Sequence, residues 1–305
     1  MFEATQLVFY SCLSPVHMGA GSAVGAIDNP IQREVHTRHP VIAGSGLKGA
    51  ARHHFQRTWN DHAPLIARLF GPATDASDHA GAIAFTDAQL VAFPVRSLRN
   101  TFVYATSPTA LARLKRLAGA TAPWAVPVVA EGTALAASAG AFSADRLVLE
   151  AFDFAAKVDA GVTEIARWLA TNGLPDSAEH SYFRAKLGAD LVVLGDTEFS
   201  HFVNHATVVE AHVRINNATG TADDGGLFYT ENLPPESLLV GLVMASVERQ
   251  GKQSKGGELM AASDVLSVVL HGTDSAAGLA GDLLQVGGDA TTGRGLIVIN
   301  APEFC

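Results

Sequence analysis

Asp28 stands in a setting that invites chemistry. It lies in Ile27-Asp28-Asn29-Pro30, with glycines upstream and Arg33 and His36 downstream. A loop carboxylate near cations can serve as a general base or anchor a divalent cation. The same letters also make an ordinary turn, because Asp and Asn side chains bond their own backbone, and the residues alone leave both readings open. His201 and His205, in HFVNH, have the i, i+4 spacing of two metal ligands on a helix. No Glu follows His201 and no third ligand is evident, so the pair reads as structural. Asp223 and Asp224 fall in a turn-rich segment and read as turn formers rather than as a catalytic pair.

Three glycine-rich runs could approach a phosphate. Residues 19–25 (GAGSAVG) follow an apolar run, where a dinucleotide-binding loop would sit. The third glycine is one residue late for G-x-G-x-x-G, and no amphipathic helix follows. What survives is the general capacity of close glycines, Gly19 and Gly21 among them, to bring N–H groups near an anion. Residues 44–49 (GSGLKG) lack Walker spacing but place a helix N-terminus, with Ser45 as candidate N-cap, beside Lys48. That arrangement favours an anion through the helix dipole and free N–H groups, though a capped helix with a solvated lysine has the same sequence. Residues 286–295 (VGGDATTGRG) carry four glycines around Arg294, Gly288 among them. A hairpin turn needs one or two, so the excess points to close approach of a ligand or of another backbone.

The elements that must position these residues can be read from periodicity. Residues 7–13 form an apolar run bounded by Pro15 and read as a buried first strand. Residues 19–40 show little periodicity and read as a long loop, a feature that is often functional. A helix then opens at GSGLKG, with Leu47, Ala51, Phe55 and Trp59 along one face and Lys48 and Arg52 one turn apart on the neighbouring face. Strands are predicted at 83–91, 101–105 and 146–152, and helices at 109–117, 162–171 and 264–271. Residues 190–215 are rich in β-branched side chains. Residues 208–215 and 227–231 look like two arms of a protruding hairpin around NNATGTADDGG, and the chain closes with a strand, the glycine-rich loop and a last strand. Strands and helices interleave without the alternation of a doubly wound sheet, which favours an α+β fold.

The composition excludes several classes. With 48% hydrophobic residues, disorder is ruled out and a sizeable core is available. Cys12 and Cys305 form neither a disulfide framework nor a CxxC pair, which fits a reducing, cytoplasmic setting. The first residues carry Glu3 and no basic n-region, and no apolar stretch approaches the roughly 20 residues that span a bilayer, so a soluble chain with no membrane partner is expected. A net charge of −9 argues against a nucleic-acid partner, yet between Arg33 and Arg57 five Lys or Arg face one acid. That local stretch is either a solvated face or an anion site.

Taken jointly, LSPVHMGAGSAVGAIDNPIQREVHTRHPVIAGSGLKGAARHHF, FSHFVNHATVVEAHVRINNATGTADDGGLFYTENLPP and VGGDATTGRGLIVIN resemble the RAMP superfamily, and within it the backbone subunits of type III-B (Cmr) CRISPR effectors. These blocks cover roughly a third of the chain. The resemblance implies one elaborated domain over residues 1–305 with an RRM-like (ferredoxin-like) core, insertions, and a β-hairpin thumb near residues 204–234. It implies partners: guide RNA, single-stranded target RNA, further copies of the chain in a helical filament and other Cmr subunits. It also implies an endoribonuclease that cuts the paired target at regular intervals through metal-assisted attack of the 2′-hydroxyl. Asp28 matches the family's key catalytic residue and the holder of a divalent cation, Mg²⁺ or Mn²⁺. His17 and Glu231 match supporting catalytic positions. Gly19, Gly21, Arg33, Ser45, Lys48, Arg52, Gly288 and Arg294 match RNA contacts. Two rivals remain at this stage. A catalytically silent RNA-binding subunit would keep Lys48 and the glycine loops while giving Asp28 no role. A nucleotide-dependent metabolic enzyme would use the loop at 19–25 in spite of its spacing.

Overall fold

The first strand, Ala4–Cys12, shows how the core is built. Leu7 and Phe9 enter one buried cluster while Val8, Tyr10 and Cys12 enter another on the opposite face. Side chains alternate across a strand, and a strand covered on both faces is apolar throughout, which is why this run lacks polar alternation. The computed structural model describes residues 2–59, 62–72, 79–249 and 259–303; Cys305 lies outside them.

A mixed sheet of twelve strands organises the chain. The first strand sits near one end, antiparallel both to Leu238–Ala245, with Phe9 opposite Val240, and to the closing strand Leu296–Asn300, with Tyr10 opposite Ile299. Farther along, Phe102–Thr106 runs parallel to Leu191–Leu194, and Thr133–Ala136 parallel to Phe152–Val158. Helices Gly44–Thr58, Asp196–His205 and Ala262–His271 contribute to one core, and helices Pro108–Ala118, Ala160–Asn172 and Ser181–Asp190 chiefly to the other. The α+β reading therefore holds. Among the described residues no helix is long and apolar enough to cross a membrane.

Several elements differ from the sequence reading for identifiable reasons. Ser45 does not cap the first helix. That helix starts at Gly44 behind Ala43, and the Gly44 N–H donates to Asp87 Oδ1 at 2.8 Å. A Cβ at Gly44 would lie 2.2 Å from Phe85 O, so the helix start presses against the bend between two strands and takes its cap from that bend. The same bend splits the predicted strand 83–91 into Ile83–Phe85 and Ala88–Arg96. The run at 146–152 is likewise two strands, Arg146–Leu149 and Phe152–Val158, turned at Glu150 with φ +50°. Inside the β-branched stretch, Phe199, Phe202 and Val203 recur at helical spacing and bury one side of Asp196–His205.

A two-stranded hairpin stands off the main sheet. Val208–Ile215 and Ala222–Asn232 form an antiparallel hairpin, with Ala211 opposite Tyr229 and Val209 opposite Glu231. Its return arm begins earlier than expected and absorbs part of the turn-rich segment, leaving a short tip held by Asn216 N–H to Thr221 O at 2.8 Å.

The glycine excess near Arg294 is answered by another backbone. Gly287 has φ +73°, and a Cβ there would lie 2.2 Å from His17 O. Gly288 N–H donates to His17 O at 3.0 Å, and Gly295 N–H to Pro15 O at 2.8 Å. The closing loop thus clamps residues 15–17. Gly287→Ala is expected to combine a left-handed backbone penalty with a steric clash and to destabilise the fold by about 2 kcal/mol or more. Urea denaturation checks this, and an unchanged midpoint would mean that the loop is not clamped against His17.

Candidate active site

The return arm of the hairpin has one edge paired to its partner strand and one edge free, and the site is built along the free edge. Tyr229 N–H donates to Asp28 Oδ2 at 2.8 Å. Asn29 N–H donates to Tyr229 O, and Glu231 N–H to Asn29 O, both at 3.0 Å. Glu231 O bonds His17 Nδ1 at 2.7 Å. Asp28 and His17 are therefore fastened to main-chain groups two residues apart on one strand, about 7 Å along it. The long loop is ordered here by pairing with an exposed strand edge, not by regular structure of its own. Asp28 Oδ1 has no hydrogen-bond partner among the described residues.

The His17 ring is held by one nitrogen. A carbonyl oxygen can only accept, so Nδ1 carries a proton and Nε2 is the ring nitrogen left outside that bond. Gly19 makes room for the ring, since a Cβ there would lie 2.9 Å from Nε2, whereas one at Gly288 would meet Cδ2 at an ordinary 3.6 Å. Met18, next along, packs against the start of the first helix, where a Cβ at Gly46 would meet its Cε at 2.7 Å. One short segment thus gathers the hairpin, the closing loop and the first helix.

Glu231 sits beneath this edge, 3% exposed, with both oxygens committed. Oε1 accepts from Arg33 Nη2 at 2.5 Å and Thr207 Oγ1 at 2.8 Å, and Oε2 from Ile31 N–H at 3.0 Å. Arg33 is equally occupied: its Nη1 reaches Arg38 O at 2.8 Å and Val203 O at 2.9 Å. Its expected place on RNA is therefore corrected. With Asn204 Oδ1 at 3.2 Å from Nη1 as well, the guanidinium is held by four protein acceptors that a phosphate would have to displace. Glu231 is likewise committed to protein partners, holding Ile31 and Arg33, though both Arg33 and Glu231 border the cleft beside helix Asp196–His205.

The remaining predicted contacts divide. Lys48 is half-buried between Arg52 and Arg249, without a carboxylate partner among the described residues, and its pKa is lowered first by burial and then by those two cations. Arg52 donates to Gly71 O at 3.0 Å. Ser45 is exposed on the same helix, and Gly21 is exposed with open space around it. Arg294 is covered, its Nη2 lying 2.5 and 2.6 Å from the two oxygens of Glu210. Arg249, Glu210 and Thr207 were not legible, because each acts through a partner distant in sequence.

His201 and His205 are exposed, not buried as structural histidines would be. They line an open cleft of about 740 Å³ between the Asp28 loop and the helix Asp196–His205. Among the described residues no three His, Cys, Asp or Glu side chains gather into a metal cluster.

With this geometry in view, a protein-family model described as the RAMP superfamily matches residues 9–298. The chain belongs to the RAMP superfamily. It is 32% identical to the "CRISPR system Cmr endoribonuclease Cmr4" of Pyrococcus furiosus, across 97% of this chain and 95% of that protein. A shorter likeness, 35% identity across 25% of this chain and 41% of the relative, joins it to the "Cms endoribonuclease Csm3" of Enterococcus italicus. Among solved structures, oligomeric Cmr4 from Pyrococcus furiosus superposes with a TM-score of 0.72 at 25% identity, covering 99% of this chain and 98% of that one. The type III-B Cmr-beta complex bound to cognate target RNA contains a chain of the same fold, with a TM-score of 0.72 at 19% identity, covering 98% of this chain and 97% of that one.

In this RAMP chain the Arg33–Glu231 pair should hold the site together. Arg33→Ala is expected to cost about 3–5 kcal/mol, the range for leaving one buried charge unpaired, and to speed amide exchange at residues 27–31 and 229–231. Urea denaturation and hydrogen exchange measure the two effects. An unchanged exchange pattern would mean that the loop holds Asp28 without the pair.

Proposed function

We propose that this chain is a guide-RNA-binding backbone subunit of a type III-B CRISPR effector and cuts the paired target RNA beside Asp28. The observation that carries the reading is the Asp28 carboxylate, with one oxygen fixed to Tyr229 N–H and the other uncommitted. It sits on a chain that shares its family and nearly its whole length with a Cmr endoribonuclease. The chain is read as one domain with an RRM-like core, and the hairpin as a thumb inserted near residues 204–234. Partners on this reading are guide RNA, target RNA, further copies of the chain and other Cmr subunits, in the cytoplasm. The oligomeric Cmr4 structure supports self-association.

RNA carries its own nucleophile. The 2′-hydroxyl attacks the adjacent phosphate once the two are brought in line, and positioning supplies much of the rate. Asp28 Oδ1 is placed to take the hydroxyl proton, while His17 presents Nε2 from a ring held by its other nitrogen. Both side chains are of types that serve as general acid–base groups. The donor set also fits a loosely held Mg²⁺ or Mn²⁺: Asp28 would supply one oxygen, with water and phosphate completing the shell. Such a cation, when bound, neutralises charge developing on the phosphate. Glu231 and Arg33 position the loop.

Asp28→Asn is expected to lower single-turnover cleavage in the reconstituted complex by roughly 10²–10⁴-fold, the range for acid–base work. Guide and target binding should change little, because the amide oxygen can still accept from Tyr229 N–H. Cutting at the wild-type rate would move the chemistry to another group.

Lys48, Arg52 and Arg249 form a cationic group with no carboxylate partner among the described residues, which we read as a phosphate contact. Lys48→Ala should weaken RNA binding without sequence preference and flatten the slope of log affinity against log salt by about 0.7–0.9. The pH dependence has a fixed sign. A bound phosphate raises the depressed Lys48 pKa, so binding takes up protons, and affinity is full at lower pH and falls as pH rises through the free-state value. That fall should begin below the pH at which an exposed lysine titrates and should disappear in Lys48→Arg. A titration of affinity against pH with no difference between wild type and Lys48→Arg would remove Lys48 from the interface.

A further inference from the structure

The main sheet ends on a strand that the proposed reaction does not use. Leu283–Gln285 stands last in the strand order and, among the described residues, pairs with Leu296–Asn300 alone. Ile299 N–H donates to Asp282 O at 3.3 Å, and Val286 N–H to Gly295 O at 2.8 Å. Main-chain groups alternate in direction along an antiparallel ladder, so those of Leu283 and Gln285 point away from the sheet. Leu283 N–H is taken by Asp282 Oδ1 at 2.7 Å. Leu283 O, Gln285 N–H and Gln285 O have no hydrogen bond among the described residues. Open edges are ordinarily blunted by charge, proline or a bulge. This strand is short but carries none of the three, and Leu283 is 48% exposed on it.

The two sides of this edge differ in chemistry. Leu284 is buried in the same core as the inner face of helix Gly44–Thr58, and on that side His53, His54 and Arg57 border a cleft of about 260 Å³ beside the strand. His54 Nε2 lies 3.4 Å from Asp282 Oδ2, whereas His53 and Arg57 have no carboxylate partner among the described residues. Side chains alternate across a strand, so Leu283 and Gln285 face the other way. Leu296, opposite Gln285 on the neighbouring strand, is exposed beside them, as is Leu13, whose N–H donates to Leu296 O at 2.9 Å. Leu283, Gln285 and Leu296 border the same cleft, which therefore opens along the free edge, basic on one side and aliphatic on the other.

We propose that this edge takes an extended strand from a partner protein, acidic at the alternate positions that face His53 and Arg57 and aliphatic at those that face Leu283 and Leu296. Main-chain hydrogen bonds to Leu283 O and Gln285 join the incoming strand to the sheet, and the alternation of its side chains selects the partner. A strand presents its side chains with period two, which matches an edge whose two sides differ. An RNA backbone would meet Arg57 but leave the leucines and the open main-chain groups unused. The proposal stands apart from the RNA-cleaving reading, since it uses no residue of that site.

The probe is a short fluorescein-labelled peptide of alternating Glu and Val, titrated onto the full chain. Anisotropy reads its affinity, and amide hydrogen exchange reads the edge. Bound peptide should slow exchange at the Gln285 amide and leave that of Val286, already bonded to Gly295 O, unchanged. Arg57→Glu should weaken binding at least about 10-fold, because it sets like charges face to face, and Arg57→Lys should retain most of it. A peptide of alternating Lys and Val should not bind. No slowing at Gln285, equal binding of the two peptides, or wild-type affinity in Arg57→Glu would each overturn the proposal. A Gln285 amide protected before peptide is added, and released on dilution to monomer, would assign the edge to a second copy instead. Displacement of the peptide by single-stranded RNA, with RNA binding lost in Arg57→Glu, would assign it to nucleic acid, and either result overturns the proposal as well.

Discussion

One guanidinium joins the parts on which the site depends. Arg33 leaves the long loop and reaches Arg38 O within the loop, Val203 O on the histidine-bearing helix and Glu231 Oε1 on the hairpin. Each of these elements could sit well against the core alone, yet none fixes the others' positions. A loop of this length loses substantial conformational entropy when ordered, and no apolar stripe anchors it. A buried ion pair is a weak source of net stability, because desolvation offsets much of the attraction. Its value here is geometric, since planar hydrogen bonds from a single group accept little rearrangement.

Backbone bonding completes what the ion pair begins. Asp28, Asn29 and His17 attach to Tyr229 and Glu231 through the free edge of the return arm, so the strand acts as a ruler for these groups. Because the attachments are main-chain groups, the spacing follows from strand geometry and not from the side chains at those positions. It also ties the spacing of Asp28 and His17 to the hairpin: a shift of the return arm carries both with it. An exposed strand edge is ordinarily open to unwanted pairing, and here the loop covers it.

The sequence was most legible where one element explains itself. The first strand, the helices near residues 44–58, 108–118 and 160–172 and the hairpin arms all followed from local periodicity and turn chemistry. Legibility failed where a distant partner decides. Gly44 could not be recognised as the helix start without Asp87 from a later strand, and the four glycines near Arg294 could not be assigned to the backbone at Pro15 and His17. The site behaved likewise. Asp28 stood out because a loop carboxylate among glycines and cations has few local explanations. Arg33, by contrast, looked like an available cation, and only its contacts 170 and 198 residues away show it committed within the protein. The histidine pair was read as structural because metal spacing was the one function its letters suggested. An exposed helix face next to a cleft has no signature in a single sequence.

The acidic total becomes intelligible once the cations are sorted by partner. Arg33, Arg113 and Arg294 are neutralised internally by Glu231, Glu34 and Glu210. Burial, and after it the neighbouring Arg52 and Arg249, lower the Lys48 pKa, and Arg38 lines the cleft without a carboxylate partner among the described residues. Net charge counts both groups equally, but a polyanion meets mainly the second. A chain with a net charge of −9 can therefore oppose loose association with nucleic acid over most of its surface, since long-range repulsion acts on the whole molecule. On the proposed function, the cations without a carboxylate partner among the described residues then favour RNA that arrives already positioned along the first helix. On that argument the sign of the total charge restricts the way RNA reaches this surface, while the local placement of a few cations determines where it is held.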